Sequence, residues 1–588
     1  MGNTFSMRAA FPKPDQAAAT DSPRAAASGW LGKHGWRWVE GPRGLLLVLL
    51  LYLGAYARTA WFGFVWDDPA NVGSSELLRG PLAGTIRKGE SARIHPAYER
   101  LPKDLVPTHE SFRPITTTSH WIDVHLFGDR PGPMHLHSVL LGLLSILLVY
   151  AISRRLGQGL WLPALWALHP IHVEVFAYVS ARSDLLAGIF SLAALLAAIE
   201  SLSVGRVPIR LALAVAAGAL SLISLFAKEA NLALPVAFFL LAWAIGHRRK
   251  AVLPAAALLA ASGLYFPLRR LITESAALPM GQWKPMLRAL ADTPGVALDC
   301  FGSVLFPGSL SIDHQLWPPV VPLGYVAIAV LLAAAFFLKR ARRPNSHGQI
   351  ALAIAASCGA GTLLAPAAVG VRSIGALADR YAFFAFLFIS VALVTLIRLI
   401  SGLCSSRLLT FGKATLAVWV VLVFLVTTAQ IGVWRSPAAL AQNSVASEPR
   451  SSMAFYRLSA LATSEGRDAD ALPLLERALQ LDPVNRQALN NLAVVYLHLG
   501  RVKDAKLILR RLLPLVGDTD WKFWYNVAST QLADGQPHKA CAAVERALAI
   551  DPGYQLALQF RAGVCQSTGA IPAPSATPPA NSDESPRP

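Results

Sequence analysis

Residues 43–69 read RGLLLVLLLYLGAYARTAWFGFVWDDP, an apolar run that ends in two adjacent carboxylates. A run of about 20 apolar residues is long enough to cross a bilayer as a helix. Charged side chains at the end of such a helix are costly unless they are paired, hydrated or functional. We therefore expect Asp67 and Asp68 to belong to a functional site. The alternative is that they cap the next segment or lie in a solvated loop.

The composition is that of a multi-pass membrane protein. Of the 588 residues, 54% are hydrophobic and 15% are charged, whereas a soluble domain has about a quarter charged residues. The two ends differ from the rest, because residues 1–42 and 571–588 are rich in Ala, Pro and Ser. Both are predicted to be disordered, the first as a cytosolic tail.

The apolar runs predict about eleven spanning helices. With the N-terminus in the cytosol, the inward-facing loops hold 14 Lys and Arg and no acidic residue, as the positive-inside rule requires. This distribution accounts for much of the net charge of +18 and argues against nucleic-acid binding. The predicted fold is all-α, with outer loops at 64–134 and 269–318 and the C-terminal region outside. The predicted spans are 43–63, 135–153, 159–179, 184–202, 209–226, 230–246, 251–268, 319–338, 348–370, 376–397 and 414–433.

In this topology the unusual polar residues of the membrane half gather at the outer face. We expect one site there, with a helix at 115–127 lying on the membrane surface. Besides Asp67 and Asp68, the candidate residues are Arg113, His169, His172, Glu174, Arg182, Asp184, Lys228, Glu229, Arg372, Asp379 and Arg380.

Several of these residues have simpler interpretations. His169, His172 and Glu174 lack the HExxH spacing of a common zinc site, which leaves helix-end hydrogen bonding or shaping of a substrate pocket as the alternatives to metal binding. Arg182 with Asp184, Lys228 with Glu229, and Asp379 with Arg380 could be ordinary ion pairs at helix ends. An arginine at this face also suits a phosphate.

An ordered set of motifs resembles the transmembrane and TPR-containing O-mannosyltransferases and their bacterial relatives, which are glycosyltransferases of the GT-C class. One departure is Ala181, where the family pattern has Gly. The matching stretches are Val65-Trp66-Asp67-Asp68, Phe112-Arg113-Pro114, His169-Pro170-Ile171-His172-Val173-Glu174, Tyr178-Val179-Ser180-Ala181-Arg182-Ser183-Asp184, Phe226-Ala227-Lys228-Glu229 and Ala378-Asp379-Arg380-Tyr381.

The resemblance implies a GT-C-type membrane domain over 43–435 and transfer of a sugar from a polyprenyl-phosphate donor to a hydroxyl acceptor on a protein. Asp67 or Asp68 would be the general base, and Arg113, Lys228, Arg372 and Arg380 would contact the phosphate. No cofactor beyond the lipid-linked sugar is implied, and a divalent metal stays open.

A second domain is predicted at 450–567, where the apolar pattern repeats about every 34 residues, the tetratricopeptide period. We expect three repeats and a closing helix at 555–567. Cys541 and Cys565 lie on consecutive predicted helices outside the cytosol, where they could either form a disulfide or stay free. The repeats either bind an acceptor or partner protein, or only pack against the membrane domain or a second copy. Candidate groove residues are Tyr456, Asn490, Val494, Tyr525 and Ser529.

The sequence thus favours a membrane glycosyltransferase with repeats outside the membrane. The chain has no N-x-S/T sequon and its inward loops are short, which favours a bacterial inner membrane over the endoplasmic reticulum. Two alternatives remain: an oligosaccharyltransferase or ligase that uses a lipid-pyrophosphate glycan, and a membrane-anchored TPR scaffold without enzymatic activity.

Overall fold

The computed structural model describes residues 41–73, 76–88, 112–273, 283–307, 310, 320–340, 346–374, 378–401, 406–517 and 520–566. Within these ranges all regular secondary structure is helical, so the predicted all-α class is confirmed. The two predicted disordered tails lie outside the described residues, apart from 41 and 42. So do parts of both long outer loops, including 89–111 and 311–319.

Five helices are long and apolar enough to cross a membrane, counted over the described part of the chain. Shorter apolar helices follow them, and the chain is a membrane protein with a helical bundle. The α-helices up to residue 433 are Pro42–Tyr56, Glu76–Arg79, Leu82–Lys88, Pro114–Phe127, Pro131–Leu156, Trp161–Leu168, Val173–Ala177, Arg182–Ser203, Val207–Ala227, Leu234–Ala244, Val252–Thr273, Trp283–Leu305, Val320–Arg340, Ser346–Ile374, Ala385–Ser401 and Ser406–Val433.

The predicted span at 159–179 is not a single helix. One helix ends at Leu168, His169 is extended with ψ 132°, and a separate short helix begins at Val173. The cause is Pro170, which cannot donate a backbone hydrogen bond and disfavours helical geometry in the residue before it. The break places the carbonyl and amide groups of this stretch where they can bond to neighbouring elements.

The predicted outer loop 269–318 contains a helix that was not predicted from the sequence, Trp283–Leu305. It packs against the helices Val320–Arg340 and Ser346–Ile374. The approach is close: a Cβ atom at Gly324 would lie 2.3 Å from the carbonyl of Pro294. Glycine is therefore needed there for the two backbones to touch.

The core of the bundle is built around aromatic rings. Trp166, Phe176, Phe383 and Phe386 are all buried, with Trp166 and Phe383 centroids 4.8 Å apart. The rings come from the broken 161–177 region and from the segment that follows Arg380. This cluster fixes the two chain segments that carry the candidate site residues.

The C-terminal region forms three consecutive helix pairs, as the repeat period predicts. The interface between paired helices is lined by small residues, since Ala471, Ala505 and Ala540 are fully buried. A disulfide joins Cys541 to Cys565, with Cα atoms 5.7 Å apart, and it ties the last turn back to the third pair. After a linking helix, Pro437–Ser447, the helices are Ser452–Ser464, Asp468–Leu481, Arg486–His498, Val502–Val516, Trp521–Ala533, Pro537–Ile550 and Gln555–Phe560.

Candidate active site

The site begins at a tight turn after the first spanning helix. The amide of Asp68 donates to the carbonyl of Val65 at 3.0 Å, which closes the turn. Between them Trp66 has φ +51°, the one non-glycine residue with positive φ in the described ranges. A bulky residue in this conformation costs on the order of 1–3 kcal/mol, so the surrounding contacts must hold the turn.

Asp68 supplies those contacts from inside the protein. Its carboxylate is fully buried and accepts hydrogen bonds from the amide and hydroxyl of Ser180, at 2.8 and 2.7 Å, and from the amide of Val65, at 3.2 Å. Burial raises the pKa of Asp68 to about 6, although the hydrogen bonds from Ser180 and Val65 oppose the shift. Each oxygen of this carboxylate is thus committed to holding the turn.

Asp67 is placed differently, because it is exposed whereas Asp68 is buried. Its backbone amide donates to the hydroxyl of Tyr178 at 3.3 Å, and its carbonyl accepts from the amide of Asn71 at 2.8 Å. Loss of hydration raises the pKa of Asp67, while the nearby Arg380 and Arg457 lower it. Of the two candidate bases, Asp67 is the one that a substrate can reach.

Three aromatic rings support this turn. Trp66 stacks on Tyr178 with centroids 5.7 Å apart and planes 12° apart, and Tyr178 stacks on Trp434 at 5.0 Å. The guanidinium of Arg380 lies 5.3 Å from the Trp66 centroid. The stack joins the end of the first spanning helix to the end of the last one. The stack was not predicted from the sequence, although Trp66 and Tyr178 lie inside the quoted motifs.

Arg380 is held by Glu174, a residue from a distant segment of the chain. The guanidinium forms an ion pair with Glu174, and the backbone amide of Arg380 donates to the same carboxylate at 2.9 Å. Glu174 is buried. This contact between two distant segments fixes the arginine in both backbone and side chain.

Lys228 also pairs with a distant carboxylate. Its Nζ lies 2.6 and 2.7 Å from the two oxygens of Asp184 and 5.2 Å from the Tyr381 ring centroid. These residues line a small cleft that is partly open to solvent. Arg380 also lines this cleft, so it links the cleft to the Trp66–Asp67 turn.

Glu229, which the sequence suggested as the partner of Lys228, faces two arginines instead. Arg113 lies 3.6 Å away and Arg269 3.5 Å away, and the hydroxyl of Tyr265 donates to Glu229 at 3.2 Å. This group forms a second set of charges beside the Lys228–Asp184 pair. Arg269 and Tyr265 were not among the predicted site residues.

Arg182 joins neighbouring helices through buried contacts. It is fully buried, and it forms an ion pair with Asp123 and not with the nearby Asp184. It also donates to the carbonyl of Met134 at 2.7 Å and to the hydroxyl of Ser138 at 3.1 Å. These contacts hold the helix Pro114–Phe127 against the bundle.

The two histidines lie in the aromatic core. His169 Nε2 is 2.9 Å from the carbonyl of Val304, and His172 Nδ1 is 2.8 Å from the carbonyl of Trp166. Both are fully buried. This is the helix-end hydrogen bonding that was one of the three alternatives for them.

Two further expectations concern Arg372 and metal ligands. The side chain of Arg372 lies outside the described residues. Where the structure describes side chains, it shows no group of three or more His, Cys, Asp and Glu that could hold a metal ion.

The predicted groove residues lie on the first helix of each repeat and are half-buried. Asn526 donates to the side-chain oxygen of Asn490 at 2.8 Å, which links the second repeat to the third. The ring of Tyr525 packs edge-on against Tyr554 and Phe560. Tyr456, Val494 and Ser529 occupy the corresponding helices.

Comparisons with known proteins match the repeat domain and relate part of the chain to known transferases. Family models described as tetratricopeptide repeat match residues 462–522 and 522–554. A protein O-mannosyl-transferase of Caenorhabditis elegans is 26% identical over 166 residues, which is 27% of this chain and 23% of that protein. Protein O-mannosyl-transferase TMTC2 of Mus musculus is 35% identical over 160 residues, which is 26% of this chain and 18% of that protein.

The aligned stretches therefore cover less than a quarter of the length of either relative. They nonetheless confirm the resemblance that the motifs indicated. The chain thus contains tetratricopeptide repeats and is similar, over about a quarter of its length, to protein O-mannosyl-transferases.

Proposed function

We propose that this protein is a membrane glycosyltransferase that moves a sugar from a polyprenyl-phosphate donor to a hydroxyl group of a protein acceptor. The observation that carries the proposal is the pairing of an accessible carboxylate, Asp67, with a cleft lined by Lys228 and Arg380. A base beside cationic groups is what displacement of a phosphate by a hydroxyl requires.

In this reaction the acceptor oxygen attacks the anomeric carbon of the sugar. Asp67 takes the proton of the acceptor hydroxyl, the bond between the anomeric carbon and the phosphate oxygen breaks, and the lipid phosphate leaves with the bonding electrons. Lys228 and Arg380 would stabilise the negative charge that develops on the leaving phosphate. Asp68 holds the turn and takes no part in proton transfer.

The charges around Glu229 suit the same phosphate at longer range. Arg113 and Arg269 lie on segments that flank the Lys228 side of the site. Arginine binds phosphate through two parallel hydrogen bonds. We assign them a supporting role, in which they offset the charge of the donor when it enters.

The orientation belongs to this proposal as well. The distribution of basic loops supports an orientation with the site and repeats on the outer side of the membrane. The lack of an N-x-S/T sequon and the short inward loops favour the inner membrane of a bacterium, where that side is the periplasm. The repeats would then bind the protein acceptor or a partner from that side, as stacked tetratricopeptide repeats can.

The test is sugar transfer from a labelled polyprenyl-phosphate hexose in membranes that contain the full-length protein. We expect Asp67→Asn to lower the transfer rate about 10²–10⁴-fold, the usual contribution of a general base. The matched control is Asp129→Asn, an exposed carboxylate near the end of the same outer loop whose partner is Arg79, and it should transfer like the wild type.

Asp67→Asn with the wild-type rate would refute the assignment of the base. A wild-type protein that transfers from no polyprenyl-phosphate sugar would refute the glycosyltransferase proposal and favour the scaffold. Transfer only from a lipid-pyrophosphate glycan would replace the donor class.

A further inference from the structure

One residue of the first helix of the repeat domain, Arg457, contacts the candidate active site. Arg457 belongs to the helix Ser452–Ser464, which lies after the last spanning helix and the linking helix. Its guanidinium lies 4.7 Å from the centroid of the Trp66 ring. Trp66 immediately precedes Asp67, so a side chain of the repeat domain stands beside the proposed base.

The electrostatics agree with this position. Arg457 is half-buried, and loss of hydration lowers its pKa to about 10, although the charge of Asp67 opposes the shift. A guanidinium is costly to remove from water unless it is paired. Asp67 offsets that cost, and in return the positive charge lowers the pKa of Asp67.

The same helix also serves the repeat surface. Tyr456, a candidate groove residue, packs against the core of the first repeat. Adjacent residues on a helix do not face the same way, so this helix presents one side chain to the repeats and the next to the site. A rigid helix of this kind ties the position of the repeat domain to the surroundings of Asp67.

We propose that Arg457 is a positioning residue for Asp67, so that the active site is complete only when the repeat domain is docked on the membrane domain. This inference rests on the proposed function, because it gives Arg457 its role through the base. The charged and titratable groups around Asp67 are Asp68 from the same turn, Tyr178, Arg380 and Arg457.

The experiment measures sugar transfer by the full-length protein as a function of pH. Arg457→Gln removes the charge but keeps a polar chain of similar length. We expect the rising limb of its pH profile to move upward by about one pH unit, because Asp67 loses a neighbour that favours its ionised form. At low pH, where Asp67 is mostly protonated in both proteins, the variant should transfer sugar about tenfold more slowly than the wild type. Arg457→Lys should restore most of the wild-type profile.

Two controls separate positioning from a general loss of structure. Arg467→Ala removes an exposed arginine of the same domain that pairs with Glu465 and Asp470, and it should leave rate and profile unchanged. Arg457→Gln added to Asp67→Asn should cost almost nothing further, since two residues that act as one unit are not additive.

An active wild type whose rate and pH profile are unaffected by Arg457→Gln would overturn this inference alone. The inference also fails if the Arg457 and Asp67 substitutions lower the rate by independent factors. Absence of transfer by the wild type would instead overturn the proposed function, and this inference with it.

Discussion

Replacing Ser180 with alanine is the sharpest test of the turn that carries Asp67. The hydroxyl of Ser180 donates to the buried Asp68 carboxylate at 2.7 Å and accepts from the side-chain amide of Asn71 at 3.3 Å. Alanine removes both contacts but leaves the backbone amide of Ser180 in place and opens almost no cavity. Of these two contacts, only the hydrogen bond to the Asp68 carboxylate changes in strength with the charge of its acceptor.

The expected cost follows from the charge of the acceptor. A hydrogen bond to an ionised group contributes about 1.5–3 kcal/mol, and a neutral one about 0.5–1.5 kcal/mol. Since the pKa of Asp68 is raised to about 6, the carboxylate is largely neutral at pH 5 and largely ionised at pH 7.5. We expect Ser180→Ala to destabilise the protein by about 1.5–3 kcal/mol at pH 7.5 and by roughly half as much at pH 5.

The sign of the pH effect can be checked by linkage. A carboxyl whose folded pKa is raised contributes stability that is present below its ordinary pKa and is lost as the pH rises through about 6. Removing the Ser180 hydroxyl raises the folded pKa further. The variant therefore loses more stability than the wild type as the pH rises.

The assay is thermal unfolding of the purified full-length chain in detergent at both pH values. Ser201→Ala is the matched control, because Ser201 is a fully buried serine whose hydroxyl donates only to the Ala198 carbonyl of its own helix among the bonds described, at 2.7 Å. A Ser180→Ala variant no less stable than this control would refute the reasoning. So would a difference from the wild type that shrinks as the pH rises.

Two further predictions follow. Arg182→Met leaves the buried Asp123 without its arginine and should lower the free energy of unfolding by about 3–5 kcal/mol, measured by thermal unfolding in detergent. The control Arg79→Met, at an exposed ion pair, should lower it by less than about 1 kcal/mol. Equal losses would contradict the buried pairing. Cys541→Ala removes the disulfide bond to Cys565 and should lower the free energy of unfolding by about 2–4 kcal/mol. The measurement is thermal unfolding with and without reductant. Wild-type protein whose stability does not change with reductant would contradict the disulfide.

The features that depend on local pattern could be predicted from the sequence. The repeat helices follow from small and apolar residues at a fixed period, and Gly466, Gly500 and Gly535 adopt positive φ at the corresponding turn of each repeat. The long spans follow from their apolar runs. The break at His169 also had a local signal in Pro170, which the length of the apolar run concealed.

The ion pairs could not be predicted in the same way. The sequence suggested pairs between residues next to or near each other, but such residues at a helix end point in different directions. The structure instead pairs Asp123 with Arg182, Glu174 with Arg380, and Asp184 with Lys228. Each pair depends on how distant helices pack, and no periodicity in one segment records that.

The position of Arg457, which involves two domains, could not be predicted from the sequence either. Its helix was predicted as part of the first repeat, but its position over Trp66 depends on how the repeats dock. The same is true of Trp434, whose place at the end of a span is typical of tryptophan and gave no indication of its stacking on Tyr178.

The carboxylate partners of Lys228 and Arg380 affect how tightly the cleft would hold a phosphate group in the proposed reaction. Asp184 and Glu174 already neutralise these two cations, so a phosphate that enters would exchange one anionic partner for another. The net gain from such an exchange is smaller than from binding to unpaired cations, because the resident ion pairs must loosen first. A site built this way would release the spent lipid phosphate readily, which favours repeated turnover over tight retention of the product.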